Sequence, residues 1–72
     1  MNFINILNIE RLVLSSIFFD YEQIFEVSLI LKKDDFYLKA HQDIYQGMLA
    51  LHDEGLPIDE DFIRNRVPKE DF

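Results

Sequence analysis

The sequence has no cysteine, which excludes disulfide bonds and metal sites built on thiolates. Its two glycines stand alone, so they cannot form the glycine-rich loop that binds a phosphate ahead of a helix. Apolar runs extend for only a few residues, far less than a bilayer span requires, and the N-terminus lacks the basic segment of a secretory signal. We therefore expect a soluble intracellular protein.

Positive charge is also scarce. Seven Lys and Arg oppose fourteen Asp and Glu, which gives a net charge of −7 over 72 residues. This charge repels phosphate groups and argues against nucleic acid or an anionic membrane as the direct partner. Apolar residues are abundant at 49%, with seven Phe and three Tyr, which is too hydrophobic for a disordered chain. Residues 1–72 can form one small domain, whose stability would be marginal without a partner.

Four segments have the apolar spacing of amphipathic helices. We predict helices over about Phe3 to Phe19, from Asp20 through Lys33, about Lys39 to Glu54, and about Asp59 to Val67. Asn8 could cap a shorter first helix, and Lys32 and Lys33 are predicted in the last turn of the second. Connections are short and no linker interrupts them. The predicted fold class is all-α, a compact bundle of about four short helices.

The predicted core consists of one apolar stripe on each of the first three helices. These stripes are Ile6, Ile9, Val13 and Ile17, widened by Leu14 and Phe18; Ile24, Val27 and Leu31; and Tyr37, His41, Ile44, Tyr45, Met48 and Leu51. Five large apolar residues lie outside them: Leu12, Phe19, Phe25, Leu29 and Leu49. Because so small a domain cannot bury them all, we expect them to be exposed or to contact other polypeptide.

The boundary between the third and fourth helices is encoded in consecutive residues. Gly55 suits the left-handed position after a helix, and Pro57 prevents the helix from resuming. Asp59 can cap the next helix, with Ile58 and Ile63 spaced as a hydrophobic staple. Gly47, in the middle of the third helix, is expected to let another helix approach closely.

No arrangement of residues predicts catalysis. His41 and His52 are three turns apart on one helix, too far to bind one metal ion directly, and we expect His41 to have a hydrogen-bonded structural role. The acidic clusters are expected to cap helices and add solubility, because acid–base chemistry requires buried carboxylates in unequal environments. Aromatic residues at 36, 37 and 45 could stack on bases, but few basic residues accompany them, and core packing is favoured.

An ordered set of residues carries a family resemblance over about residues 9–66. Its members are Glu10, Asp35, Phe36, Tyr37, His41, Gly55, Pro57, Ile58 and Asp59, accompanied by the run 10–14 and by Asp20, Ile44, Tyr45 and Leu51. This pattern resembles the N-terminal domain of the bacterial replicative DNA helicases, the DnaB family. No single residue of the set is specific, but the ordered spacing is. The nine residues named first are the expected structural signature, with no catalytic, cofactor-binding or metal-binding residue among them.

The resemblance implies a non-catalytic domain that helps to assemble a hexameric ring and docks the C-terminal domain of primase in the bacterial cytoplasm. The ATP and Mg of such helicases would belong to a motor domain outside this chain. On this interpretation residues 1–72 are a helicase fragment that does not itself bind nucleic acid or membrane. Two alternatives stay open: the helicase-binding domain of a primase, and a small helix-turn-helix protein that binds nucleic acid.

Overall fold

The computed structural model describes residues 2–68, and within this range the chain is all-α, as predicted. Its helices are α1 (Phe3–Phe19), α2 (Gln23–Ile30), α3 (Lys39–Asp53) and α4 (Glu60–Arg64). A single 3-10 turn, Lys33–Asp35, joins α2 to α3. The central helix is α3, which packs against each of the other helices and the 3-10 turn. Across residues 2–68, no helix is both long and apolar enough to cross a bilayer.

The core is contributed by all four helices, by the segments that connect α2 to α3 and α3 to α4, and by the turns after α4. Among residues 2–68, six large side chains are completely enclosed: Ile17, Ile24, Tyr45, Met48, Leu51 and Ile63. Leu14, Phe36, Ile58 and Val67 complete the cluster. Nine of these ten residues belong to the predicted stripes, to the aromatic residues favoured for the core or to the staple, whereas Val67 was predicted only as the end of the fourth helix.

The inward face of α1 differs from the predicted stripe. Glu10, Leu14 and Ile17 are its buried residues, whereas Ile9 is 46% exposed and Phe18 is also exposed. The predicted stripe was wrong because a hydrophobicity pattern counts only apolar residues. Here the carboxylate of Glu10 occupies a core-facing position. The helix spans Phe3–Phe19 as predicted, and the alternative of a shorter helix capped by Asn8 was wrong. The side-chain oxygen of Asn2 accepts a hydrogen bond from the Asn5 N–H at 2.9 Å and starts the longer helix.

The second helix, α2, is shorter than predicted at both ends. Asp20 caps the turn ahead of the helix, because its Oδ1 accepts the Glu22 N–H at 3.2 Å, but regular helix begins only at Gln23. The helix ends at Ile30, so Lys32 and Lys33 lie beyond its last turn. Val27 and Leu31 pack against the core as expected. Short helices fray into such turns because each end leaves backbone groups without helical partners.

The predicted ending of α3 is present. Gly55 has a φ of 72°, the left-handed conformation that glycine adopts without steric cost. The N–H of Leu56 bonds to the Leu51 carbonyl at 2.9 Å and that of Gly55 to the His52 carbonyl at 3.1 Å, the two hydrogen bonds of a Schellman motif. The stripe was wrong at Tyr37, which precedes α3 and is 63% exposed.

The fourth helix starts as predicted but is shorter. Asp59 Oδ1 accepts the Phe62 N–H at 3.0 Å, and the staple residues Ile58 and Ile63 are both buried. Regular helix ends at Arg64 and turns follow, so the predicted end at Val67 was wrong, although Val67 is buried. The turn segment lies over Gly47, where an added Cβ would be 3.4–3.5 Å from atoms of Ile63, Arg66 and Val67. These are ordinary van der Waals distances, so the neighbouring segment packs on Gly47 without requiring glycine there.

Candidate functional site

The most connected polar group of the domain is the carboxylate of Glu10, which joins α1 to the start of α3. Glu10 and His41 are each only 7% exposed. Oε1 of Glu10 lies 2.7 Å from His41 Nδ1 and accepts the Leu38 N–H at 3.3 Å, while Oε2 accepts the N–H of Tyr37. One carboxylate therefore satisfies two backbone N–H groups ahead of α3 and the imidazole on its first turn.

Opposing effects set the ionisation of Glu10. Burial alone would raise the pKa of this carboxyl group because it removes water from the charged form. Hydrogen bonds from Tyr37, His41 and Leu38, together with attraction to His41, outweigh burial and lower the pKa. The arrangement thus favours an ionised carboxylate used as a structural acceptor, whereas a general acid requires a raised pKa.

Aromatic packing and two further hydrogen bonds also hold the segment between α2 and α3 against α3. The rings of Phe36 and Tyr45 are 5.0 Å apart and tilted by 41°. The Tyr45 hydroxyl donates to the Leu31 carbonyl at 2.8 Å, and Gln42 Nε2 donates to the Phe36 carbonyl at 2.7 Å. Burial, with a smaller contribution from Asp35, raises the pKa of Tyr45. The hydroxyl is therefore held in its neutral, donating form.

The predicted acidic clusters lie at helix ends and in ion pairs. Asp35 Oδ2 accepts the Lys32 N–H at 2.8 Å and closes the 3-10 turn. Asp59 caps α4, and Glu54 forms a two-bond ion pair with Arg66, of which the Oε1 bond is 2.7 Å long. Within residues 2–68, no three His, Cys, Asp or Glu side chains are grouped so that they could hold a metal ion.

The surface carries many large apolar side chains. Four of the five residues predicted to lie off the core stripes are exposed, namely Leu12 (67%), Phe19 (95%), Phe25 (58%) and Leu29 (86%). Leu49 is instead partly buried against the core. The sequence stripes did not single out Ile4, Tyr21 and Ile30, which are also exposed. Ile4 lies in the first turn of α1, Tyr21 just ahead of α2 and Ile30 at the end of α2, where too few residues remain for periodicity to assign a face.

Together, the fold and surface define a small acidic helical domain whose apolar exterior suits contact with other proteins. A family model described as the DnaB-like helicase N terminal domain matches residues 3–72. The chain therefore belongs to the family of DnaB-like helicase N-terminal domains, and not to that of the catalytic motor domain. This also decides against the primase alternative raised by the sequence.

Known proteins agree with this assignment. The replicative DNA helicase DnaB of Helicobacter pylori (strain J99) is 43% identical over 63 residues, which are 88% of this chain and 13% of that protein. DnaB of Nostoc sp. (strain PCC 7120) is 46% identical over 50 residues, 69% of this chain and 6% of that protein. Replicative DNA helicase DnaC of Bacillus subtilis is 44% identical over the same share of this chain and 11% of that protein.

A solved structure shows the same fold. It is the N-terminal domain of the DnaB helicase from Helicobacter pylori, described with its interactions with primase. The match has a TM-score of 0.86 and 39% sequence identity, and it covers 97% of this chain and 60% of that one. The chain thus spans only 13% or less of the curated helicases it matches.

Proposed function

We propose that this chain is the N-terminal domain of a bacterial replicative DNA helicase that acts in the cytoplasm, where it joins helicase subunits into a hexameric ring and docks the C-terminal domain of primase. DNA unwinding, with its ATP and Mg, would belong to a motor domain elsewhere in the same protein. The observation that carries the proposal is the structural match over 97% of the chain to a DnaB N-terminal domain that interacts with primase.

The surface supports a role in protein contact. Phe19 and Leu29 are 95% and 86% exposed, and Leu12 lies about two helical turns from Phe19 on α1 at 67% exposure. Large exposed apolar groups of this kind are typical of surfaces that bind other proteins. A net charge of −7 makes a protein partner more favourable than a phosphate backbone.

The nine signature residues are proposed to maintain the shape of the domain and to contact no reactant. Their contacts support this role: Glu10 bonds to His41 and to the backbone of Tyr37, Phe36 and Ile58 are buried, and Gly55 and Asp59 form helix ends. Asp35 closes the 3-10 turn, and Pro57 lies in the loop before α4. The domain as a whole would then present its outer surface to partners.

The coding sequence tests the helicase assignment. The gene is expected to continue in frame beyond codon 72 and to encode a segment with the pattern Gly-x-x-x-x-Gly-Lys-Ser/Thr, which binds the phosphates of ATP. An open reading frame that ends at this point would contradict the proposal.

Sedimentation of the full-length protein tests the role in assembly. We expect intact protein to sediment as six subunits, and a variant that lacks residues 2–68 to dissociate at concentrations where the intact ring persists. Equal stability of the two assemblies would show that the domain does not contribute to the ring.

A further inference from the structure

An open groove lies between the start of α2 and the end of α3, away from the Glu10–His41 contact. Its lining includes Tyr21 and Phe25, the neighbouring ring of His52, and Leu56 and Pro57 in the loop after α3. The groove has a volume of about 400 Å³. This space can accept one or two side chains of a partner, but it is small for a folded element.

The aromatic side of the groove is open to solvent. Tyr21 and Phe25 are both 58% exposed, although they flank Ile24, which is completely buried. The rings of Phe25 and His52 meet edge to face, with centroids 4.5 Å apart and planes at 89°. That contact holds Phe25 in place while more than half of its surface stays free. The groove therefore offers a fixed aromatic surface.

The two segments that form the groove carry only negative charge. The two segments that form the groove, residues 20–26 and 52–61, contain three and five carboxylates and no Lys or Arg. Within the described part of the chain, Arg66 pairs with Glu54 and Arg64 with Glu60. The remaining six carboxylates, on Asp20, Glu22, Glu26, Asp53, Asp59 and Asp61, have no Lys or Arg ion-pair partner among residues 2–68.

The exposed aromatic rings and the acidic segments together indicate which chemical group would bind in the groove. A guanidinium group is planar, stacks on an aromatic face and pairs with carboxylates through its N–H groups. A second copy of this chain would bring a net charge of −7 to the acidic rim, and a nucleic acid or anionic lipid would bring phosphates. Charge complementarity therefore favours a cationic protein segment over each of these.

We propose that this groove binds an arginine-containing, partly apolar segment of another protein, with a guanidinium stacked on the Tyr21–Phe25 surface and paired with the carboxylates around it. Apolar residues beside that arginine would cover Leu56 and Pro57. The inference goes beyond the proposed helicase role, because it concerns a defined groove and holds whether or not primase is the protein that supplies the segment.

The test uses the complete 72-residue chain, labelled with 15N, and a synthetic probe peptide, acetyl-Gly-Arg-Leu-Arg-Pro-Leu-Arg-Gly-amide. Titration at 50 mM salt is expected to give saturable amide shifts centred on Tyr21, Phe25, His52 and Leu56. In one matched peptide every arginine is replaced by lysine, which keeps the charge but removes the planar guanidinium group. In a second, every arginine is replaced by glutamate, which reverses the charge. We expect the lysine peptide to bind several-fold more weakly and the glutamate peptide not to bind.

Variants of the chain locate the contact. Phe25→Ala is expected to weaken binding of the arginine peptide at least tenfold, and Glu22→Gln about threefold. Ile30→Ala is the matched control, since Ile30 is exposed on the same helix but does not line the groove; its affinity should equal that of the unmodified chain. Shifts spread evenly over the acidic surface, equal binding of the lysine peptide, or unchanged binding by folded Phe25→Ala would each overturn the proposal.

The same variants separate this inference from the proposed function. If folded Phe25→Ala loses the arginine peptide but still binds the primase domain, the groove serves a different partner and both proposals stand. If the chain binds the arginine peptide but no primase domain, only the proposed primase docking fails.

Discussion

Glu10 is the residue through which α1 holds the start of α3. Removing its carboxylate in Glu10→Ala would leave the partly buried N–H groups of Tyr37 and Leu38 without an acceptor and His41 without its partner. We expect a loss of about 3 kcal/mol in the free energy of unfolding, measured by urea denaturation. Glu26→Ala, at an exposed position, is the control and should change stability by less than about 0.5 kcal/mol. Equal effects of the two substitutions would contradict the structural role of Glu10.

The lowered pKa of Glu10 also predicts how the stability of the fold changes with pH. Because the pKa of Glu10 is lower in the folded chain than its usual value, the ionised group stabilises the fold above the usual carboxyl range. This contribution is lost as the pH falls through the lowered, folded-state pKa. The stability difference between unmodified chain and Glu10→Gln should therefore be large at pH 6 and shrink toward pH 3. A difference that stays constant over this range would contradict the prediction.

Phe36 and Tyr37 are neighbours in sequence with opposite environments. Phe36 is 3% exposed and packs against Tyr45, whereas Tyr37 is 63% exposed. Phe36→Ala is expected to cost about 3–5 kcal/mol, enough to unfold a domain of this size, because it leaves a cavity in the core. Tyr37→Ala should cost less than about 1 kcal/mol, since its main ring contact is with exposed Phe3. Thermal melts followed by circular dichroism compare the two, and a folded Phe36→Ala would show that the ring is not part of the core.

The sequence identified most residues that hold the fold but not how Glu10 is used. Glu10 and His41 were both singled out, yet their contact joins residues 31 positions apart, and periodicity within a helix cannot show such a pairing. The available signal was a carboxylate at a core-facing position of α1, which requires buried donors nearby. Tyr37 was wrongly expected on the buried stripe because the helix, and with it the 3.6-residue period, starts only at Lys39.

At the scale of the helices, replacing the two glycines by alanine is expected to change stability in opposite directions. Gly55 has a positive φ, so Gly55→Ala is expected to destabilise the chain by about 1–2 kcal/mol through backbone strain alone, since nothing lies within 4 Å of the added Cβ. Gly47 is helical and an added Cβ would make ordinary contacts, so Gly47→Ala should be neutral or stabilise by up to about 1 kcal/mol. Urea denaturation of both variants tests this. The same sign of change in both would contradict the assigned conformations.

Helix ends were predictable where the side chain itself forms the cap. Gly55 and Asp59 act locally, through their own conformation or side-chain oxygen, and both ends lie where the sequence places them. The start of α2 and the end of α4 were less predictable because no side chain fixes them. Glu22 makes no side-chain cap, and α4 passes into turns at Asn65 ahead of the proline at 68.

At the scale of the whole molecule, charge sets the choice of partner. With a net charge of −7 and one Lys on α3, the chain lacks the basic recognition helix that a helix-turn-helix protein uses. An electrophoretic mobility assay at low salt should show no shift of duplex or single-stranded DNA by this chain. A saturable shift would instead support the nucleic-acid alternative and contradict a role confined to protein contact.

Binding of the primase C-terminal domain from the same organism tests the central claim, that this acidic helical domain is a docking module, most directly. Isothermal titration of the 72-residue chain with that domain should give saturable binding, which the destabilised Phe36→Ala variant should lose. Absence of any binding at 100 µM, with the chain shown to be folded by circular dichroism, would contradict the proposed role.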